Sequence, residues 1–156
     1  PSRCVIDMSV DTMARLFELK NIAGVKDATG DLNRLDETIK KLGPEFIQLT
    51  GEDGLALEFN KRGGVGIISV TANIAPKLCS DMQRLWRENK INECQEINQK
   101  LAKLHHVLFI ESSPGPVKYA ASLIGLCQQD TRLPLVEIKN ITKTEVESCL
   151  REINII

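Results

Sequence analysis

Three short apolar runs alternate with helix-forming stretches in the first half of this chain, and no other feature restricts its fold as strongly. The runs are Ile22–Val25 closing on Lys26, then Phe46–Thr50, then Val65–Val70. Between the first two, Leu32, Leu35, Ile39 and Leu42 recur at helical spacing, with Asp31 as N-cap and Gly43-Pro44 as the stop. Between the second and third, a short helix follows Gly51-Glu52-Asp53, runs to about Lys61 and breaks at Gly63-Gly64. A strand–helix–strand repeat of this kind folds through right-handed crossovers, so the strands are expected to be parallel in one sheet. An earlier helix, capped by Ser9 and running to about Leu19, carries Val10, Met13, Ala14 and Phe17 on one face.

The second half contains only helical patterns. Pro76 suits the first position of a helix to about Asn89, and Ile91, Cys94, Ile97, Leu101, Leu104 and Leu108 stripe a longer one. Pro114-Gly115-Pro116 precedes a helix through about Leu126. Thr142 and Glu145 read as a capping box for a last helix bearing Val146, Cys149, Leu150 and Ile153. Three parallel strands alone leave two edges and one face uncovered. A closed (β/α)8 barrel takes eight strands and about 250 residues, whereas this chain has 156. The expected architecture is therefore part of such a barrel. A sequence that begins at Pro1 suggests a processed, proteolysed or partial chain.

Composition excludes several functions. A net charge of −1 and a pI near 6.2 give no electrostatic footprint for nucleic acid or an anionic membrane. No apolar run approaches the roughly 20 residues that span a bilayer, and no signal peptide heads the sequence. The five cysteines, Cys4, Cys79, Cys94, Cys127 and Cys149, are odd in number and form no C-x-x-C. They read as buried or unlinked thiols in a reducing compartment, which predicts a cytoplasmic protein.

Parallel α/β folds build their sites at the carboxyl ends of the strands. Lys26, Gly51-Glu52-Asp53 and Ser69–Asn73 fall there, and Arg3 lies on a loop that can face the same mouth. A lysine closing a buried strand is costly unless it is neutral, paired or reaching solvent. One reading is an amine of lowered pKa that forms a Schiff base with a carbonyl substrate, the iminium serving as electron sink for making or breaking a carbon–carbon bond. The other is a structural lysine. Arg3 reads either as a bidentate clamp for a substrate carboxylate or as a surface arginine. Glu52 and Asp53 suit a helix cap as well as they suit catalysis. His105 and His106 are adjacent on a helix, so they diverge and do not chelate one metal. Gly63, Gly64 and Gly66 follow a helix and precede a strand, the reverse of a phosphate loop.

Four blocks stand in order along the chain: Pro1-Ser2-Arg3, Gly24-Val25-Lys26-Asp27-Ala28-Thr29-Gly30-Asp31, Gly66-Ile67-Ile68-Ser69-Val70-Thr71-Ala72-Asn73 and Pro116-Val117-Lys118. They carry a resemblance to the dihydrodipicolinate synthase family, pyruvate-dependent enzymes of the class I aldolase type. It implies that residues 1–89 supply the last three barrel strands and residues 90–156 a helical C-terminal domain, with the first five strands preceding Pro1. It also implies condensation of pyruvate with aspartate semialdehyde, in the diaminopimelate route to lysine, through a Schiff base on Lys26. No cofactor beyond that covalent pyruvate is implied. Arg3 would bind the aldehyde substrate's carboxylate, and Gly51 and Ile68 would line the pyruvate pocket. A homo-oligomer is expected, with no nucleic acid or membrane partner. Sialic acid lyases share the lysine, so another pyruvate-dependent aldolase is the alternative within the enzyme class; Pro-Ser-Arg favours the synthase. A truncated, inactive half-barrel that only folds or self-associates is the alternative outside it. The family commonly has Arg-Thr, Gly-Asp-Asp and Asn-Pro where this chain has Arg3-Cys4, Gly51-Glu52-Asp53 and Ser113-Pro114. Those differences bear on substrate fit more than on iminium chemistry.

Overall fold

The computed structural model describes residues 5–156. They fall into two compact units, the first ending at Ile68 and the second spanning Ser69–Ile156.

In the first unit, helix α1 (Val10–Phe17) starts where the Ser9 hydroxyl accepts the Thr12 N–H, as expected of an N-cap. It stops short of Leu19 because the Leu19 N–H donates to Leu16 in a tighter final turn. Strand β1 (Gly24–Asp27), helix α2 (Leu32–Leu42) and strand β2 (Ile47–Thr50) follow. A single 3₁₀ turn at Asp53–Leu55 leads into helix α3 (Ala56–Lys61), and strand β3 (Gly66–Ile67) closes the unit. The sheet is three-stranded, parallel and ordered β1-β2-β3, with Lys26 opposite Leu49 and Leu49 opposite Gly66. The third strand is shorter than the expected Val65–Val70. Ile68 still donates to the Thr50 carbonyl (2.9 Å), but Ser69 Oγ then accepts the Ala72 N–H (2.8 Å) and the chain turns into a 3₁₀ segment at Thr71–Asn73. A local serine bond here wins over continued pairing.

Alternation along the strands gives this sheet two unlike faces. Val25 faces a cluster of Val10, Met13 and Phe46, with Phe17, Ile22 and Leu42 packed against it. Phe17 and Phe46 meet edge-on at 5.0 Å between ring centroids. The other face carries Lys26, Ile47, Leu49 and Ile68. It is open: Ile47 is 45% exposed and Ile68 51%. β1 is thus half-buried, and the expected cost of a lysine closing a buried strand does not arise within this unit.

The second unit is a helical assembly of α4 (Pro76–Arg87), α5 (Ile91–Val107), α6 (Gly115–Leu123) and α7 (Asn140–Glu152). Leu101, Leu104, Leu108, Val146 and Leu150 are fully buried in one core. α6 ends before the expected Leu126 because the Leu126 and Gly125 amides turn back onto the Ala121 and Ser122 carbonyls. The capping box at Thr142 does not form. α7 begins three residues earlier, at Asn140 with Lys139 in the N-cap position, and Thr142 is buried inside its first turn. The cap comes from a distant side chain instead: Glu111 accepts the Lys139 N–H at 2.9 Å and the Thr142 hydroxyl. Those two bonds, Thr142 first, hold the Glu111 carboxyl below the ordinary glutamate value of 4.5. A depressed carboxylate stabilises the fold above its unfolded pKa, and the effect is lost as pH falls through the folded one. Glu111→Gln is therefore expected to flatten the acid limb of the stability–pH curve, read by urea unfolding between pH 3 and pH 6, roughly the range in which carboxylates titrate.

No helix among the described residues is long and apolar enough to cross a membrane. Nor do the described residues contain a group of three or more His, Cys, Asp or Glu able to hold a metal. His105 is buried with its Nδ1 2.8 Å from Thr71 Oγ1, while His106 is exposed, so the two rings do diverge. Cys79, Cys94 and Cys149 are buried and Cys127 is exposed, and none of these four is in a disulfide.

Candidate active site

The carboxyl ends of β1 and β2 bring Lys26 and Gly51 together. β1 orients Lys26 onto the open face, and the Gly51 N–H donates to the Asp27 carbonyl at 2.6 Å, which draws the end of β2 against the lysine. A Cβ on Gly51 would stand 2.6 Å from Lys26 Cε and 2.9 Å from Ala28 Cβ. Only a glycine leaves the lysine stem its present path. No hydrogen bond or ion pair joins the Lys26 ammonium to another described residue. Gly51→Ala is expected to displace that stem and slow chemistry at the amine by up to about 100-fold, the loss an ångström-scale misplacement can cause; rates of borohydride-trapped keto-acid adduct formation, measured against wild type, would show it.

The turn after Lys26 is held by its own side chains. Asp27 Oδ1 accepts the Thr29 N–H (2.7 Å) and hydroxyl (2.6 Å), and Thr29 Oγ1 accepts the Asp31 N–H at 3.3 Å. Gly30 takes φ +75°, a left-handed conformation that glycine adopts without strain. Asp31 then caps α2 by accepting the Asn33 N–H at 2.9 Å, as expected. Asp27 Oδ2 lies 2.8 Å from Arg34 Nε, an ion pair whose N–H is not aimed along a hydrogen-bond direction. Sequence reading missed Asp27, Thr29 and Arg34 as a unit. An Asp two residues before a Thr is a turn signal that marks the first two.

Glu52 is half-buried beside this site, its amide donating to Thr50 Oγ1 at 3.0 Å. Burial pushes its carboxyl above the ordinary range, the Asp53 and Asp27 charges push the same way, and the Lys26 charge opposes them. Asp53 is buried in the 3₁₀ turn. Ile68 sits just past β3, on the same face as Lys26 and two strands away. Arg3 lies outside the described residues.

Residues 1–153 match the model of the dihydrodipicolinate synthetase family. The chain belongs to that family. Among dihydrodipicolinate synthases, the 4-hydroxy-tetrahydrodipicolinate synthase of Pelagibacter ubique is 58% identical over the whole of this chain and 54% of its own length. That of Rhodospirillum centenum is 55% identical over 96% of this chain and 52% of its own. The crystal structure of dihydrodipicolinate synthase from Aquifex aeolicus superposes with a TM-score of 0.95 at 36% identity, covering 99% of this chain and 53% of that one. The chain spans about half the length of the relatives it matches. Its three parallel strands and the helices after them are the C-terminal part of a (β/α)8 barrel with a helical domain.

Proposed function

We propose that this chain is the C-terminal part of a 4-hydroxy-tetrahydrodipicolinate synthase, joining pyruvate to aspartate semialdehyde in lysine biosynthesis in the cytoplasm. In the whole protein, residues 1–89 complete the barrel and residues 90–156 form the helical domain. The observation that carries the reading is Lys26 on the open sheet face, its stem laid against Gly51 and its charge acting on the half-buried Glu52 carboxyl. The neutral amine adds to the keto carbon of pyruvate and expels water, leaving an iminium. Loss of a methyl proton gives an enamine, whose carbon attacks the aldehyde carbon of the second substrate. Arg3 holds that substrate's carboxylate, and Gly51 and Ile68 line the space for pyruvate. No cofactor enters this scheme.

The open face also supports the reading of an inactive half-barrel that self-associates, since exposed Ile47 and Ile68 and unpaired strand edges favour partners. Borohydride reduction with pyruvate, followed by intact mass and peptide mapping, separates the two. It is applied to this 17.4 kDa chain and to the chain joined behind the N-terminal part of the Pelagibacter ubique relative that it does not cover. A pyruvyl adduct on Lys26 in the joined protein supports the synthase, and turnover with aspartate semialdehyde rather than with a sugar aldehyde distinguishes it from other aldolases. Absence of an adduct there overturns the proposal.

A further inference from the structure

The residue after Lys26 is an aspartate, and a carboxylate beside a reactive amine is a hazard to its chemistry. Paired with the ammonium, it would favour the protonated form, which has no lone pair to give. The fold turns Asp27 the other way. Alternation along β1 puts it on the face of Val25, which packs with Leu42 of α2, and not on the open face with Lys26. There both of its oxygens are occupied. Oδ1 accepts the Thr29 N–H (2.7 Å) and hydroxyl (2.6 Å), and Oδ2 lies 2.8 Å from Arg34 Nε on α2. The Asp27 and Arg34 side chains are only 11% and 13% exposed, so salt and water screen this pair weakly. An arginine serving only its own helix would find its partners one turn away along it. Arg34 instead reaches back to β1, while its Nη atoms donate to Asp7 and to the Met8 carbonyl.

The Asp27 charge is felt at this end of the sheet. It adds to the rise of the Glu52 carboxyl, which burial causes first and Asp53 second, with Lys26 opposing. We propose that Arg34 is a positioning residue that holds the Asp27 carboxylate against α2 and cancels its charge there, so that this carboxylate does not compete with a carbonyl substrate for the Lys26 amine. This rests on the proposed Schiff-base role of Lys26.

The test is the pH profile of pyruvyl adduct formation at Lys26 in the joined protein, trapped with borohydride from about pH 6 to pH 10, below and up to the ordinary lysine value. The reagent's own pH dependence is common to all variants and cancels between them. Arg34→Gln leaves the Asp27 charge unmatched, so the pH of half-maximal rate is expected to rise by about half a unit. Asp27→Asn leaves the arginine unmatched and is expected to lower it by about as much, while its amide oxygen can still accept from Thr29. The double variant restores the balance of charge and is expected to return to within about 0.2 pH unit of wild type. Glu52 and Asp53 after β2, Asp31 before α2 and Asp7 are the other charged groups around this turn, and they are the same in every variant.

Opposite shifts that cancel are the mark of charge, and a merely loosened turn does not produce them. A rate that falls at every pH with an unmoved midpoint in Arg34→Gln overturns the inference, as do single-variant shifts of the same sign or a double variant displaced beyond both. If Arg34→Gln does not fold, Asp27→Asn alone decides, and a midpoint that rises or stays overturns the inference. No adduct in the wild-type joined protein overturns the proposed function and this inference with it, whereas a wild-type adduct with uncoupled midpoints overturns this inference alone.

Discussion

Lys26→Arg is expected to abolish the pyruvyl adduct outright, in whichever form of the protein gives one with wild type. The substitution keeps a long, positively charged side chain on the open face of β1, so fold and surface charge change little. It removes only the chemistry, since a guanidinium with a pKa above about 12 offers no free lone pair near neutrality. Circular dichroism is expected to overlay that of wild type, and the reduced sample to show only the unmodified mass. A mass gain that persists in Lys26→Arg would put the reactive amine on another lysine. The comparison is sharper than Lys26→Ala, which also deletes the stem that packs on Gly51.

The second large effect is on stability. Leu104→Ala removes a side chain that is 0% exposed in the helical unit, where Leu101, Leu108, Val146 and Leu150 are equally buried around it. Lost transfer energy and the residual cavity together cost about 2–5 kcal/mol at such sites, a large part of the roughly 5–15 kcal/mol that holds a domain folded. Trp86, the only tryptophan, lies on α4 in the same unit and is half-buried, so its fluorescence reports this unfolding. Leu104→Ala is expected to lower its melting temperature by more than about 10 °C, at roughly 4–8 °C per kcal/mol for a unit of this size. His106→Ala, exposed on the same helix, should stay within about 0.5 kcal/mol of wild type.

Where the physics was local, it was legible in the sequence. Ser9 and Asp31 cap their helices through bonds to amides two or three residues away, and Gly43 ends α2, so a short window held the information. Alternation gave the parallel sheet and put Lys26 at the end of its first strand. Errors came where a remote or competing group decided. Glu145 follows Thr142 at capping-box spacing, yet Glu111, far upstream, takes up both Thr142 and the Lys139 amide. β-branched residues run on to Val70 and predict a longer third strand, while the Ser69 hydroxyl bends the chain. The exposure of Lys26 is not legible for a different reason: burial of a strand depends on what covers both faces, and periodicity reports only that two faces exist. Arg34 also pairs with Asp7, 27 positions away, a contact with no sequence signature at all.

The shortness of β1 has a consequence for how this chain tolerates change. With only four residues, a packed Val25 and an outward Lys26 side by side among them, the strand has no spare length in which to absorb an error of phase. Inserting one residue between Gly24 and Val25 would exchange the two side chains, driving an ammonium into the Val10–Met13–Phe46 cluster and a valine into the open. The same event at Lys20 or Asn21, in the turn before the strand, would be taken up without altering either. Length variation among descendants of this sequence should therefore collect in the connections, while the strand keeps its count even where its letters drift.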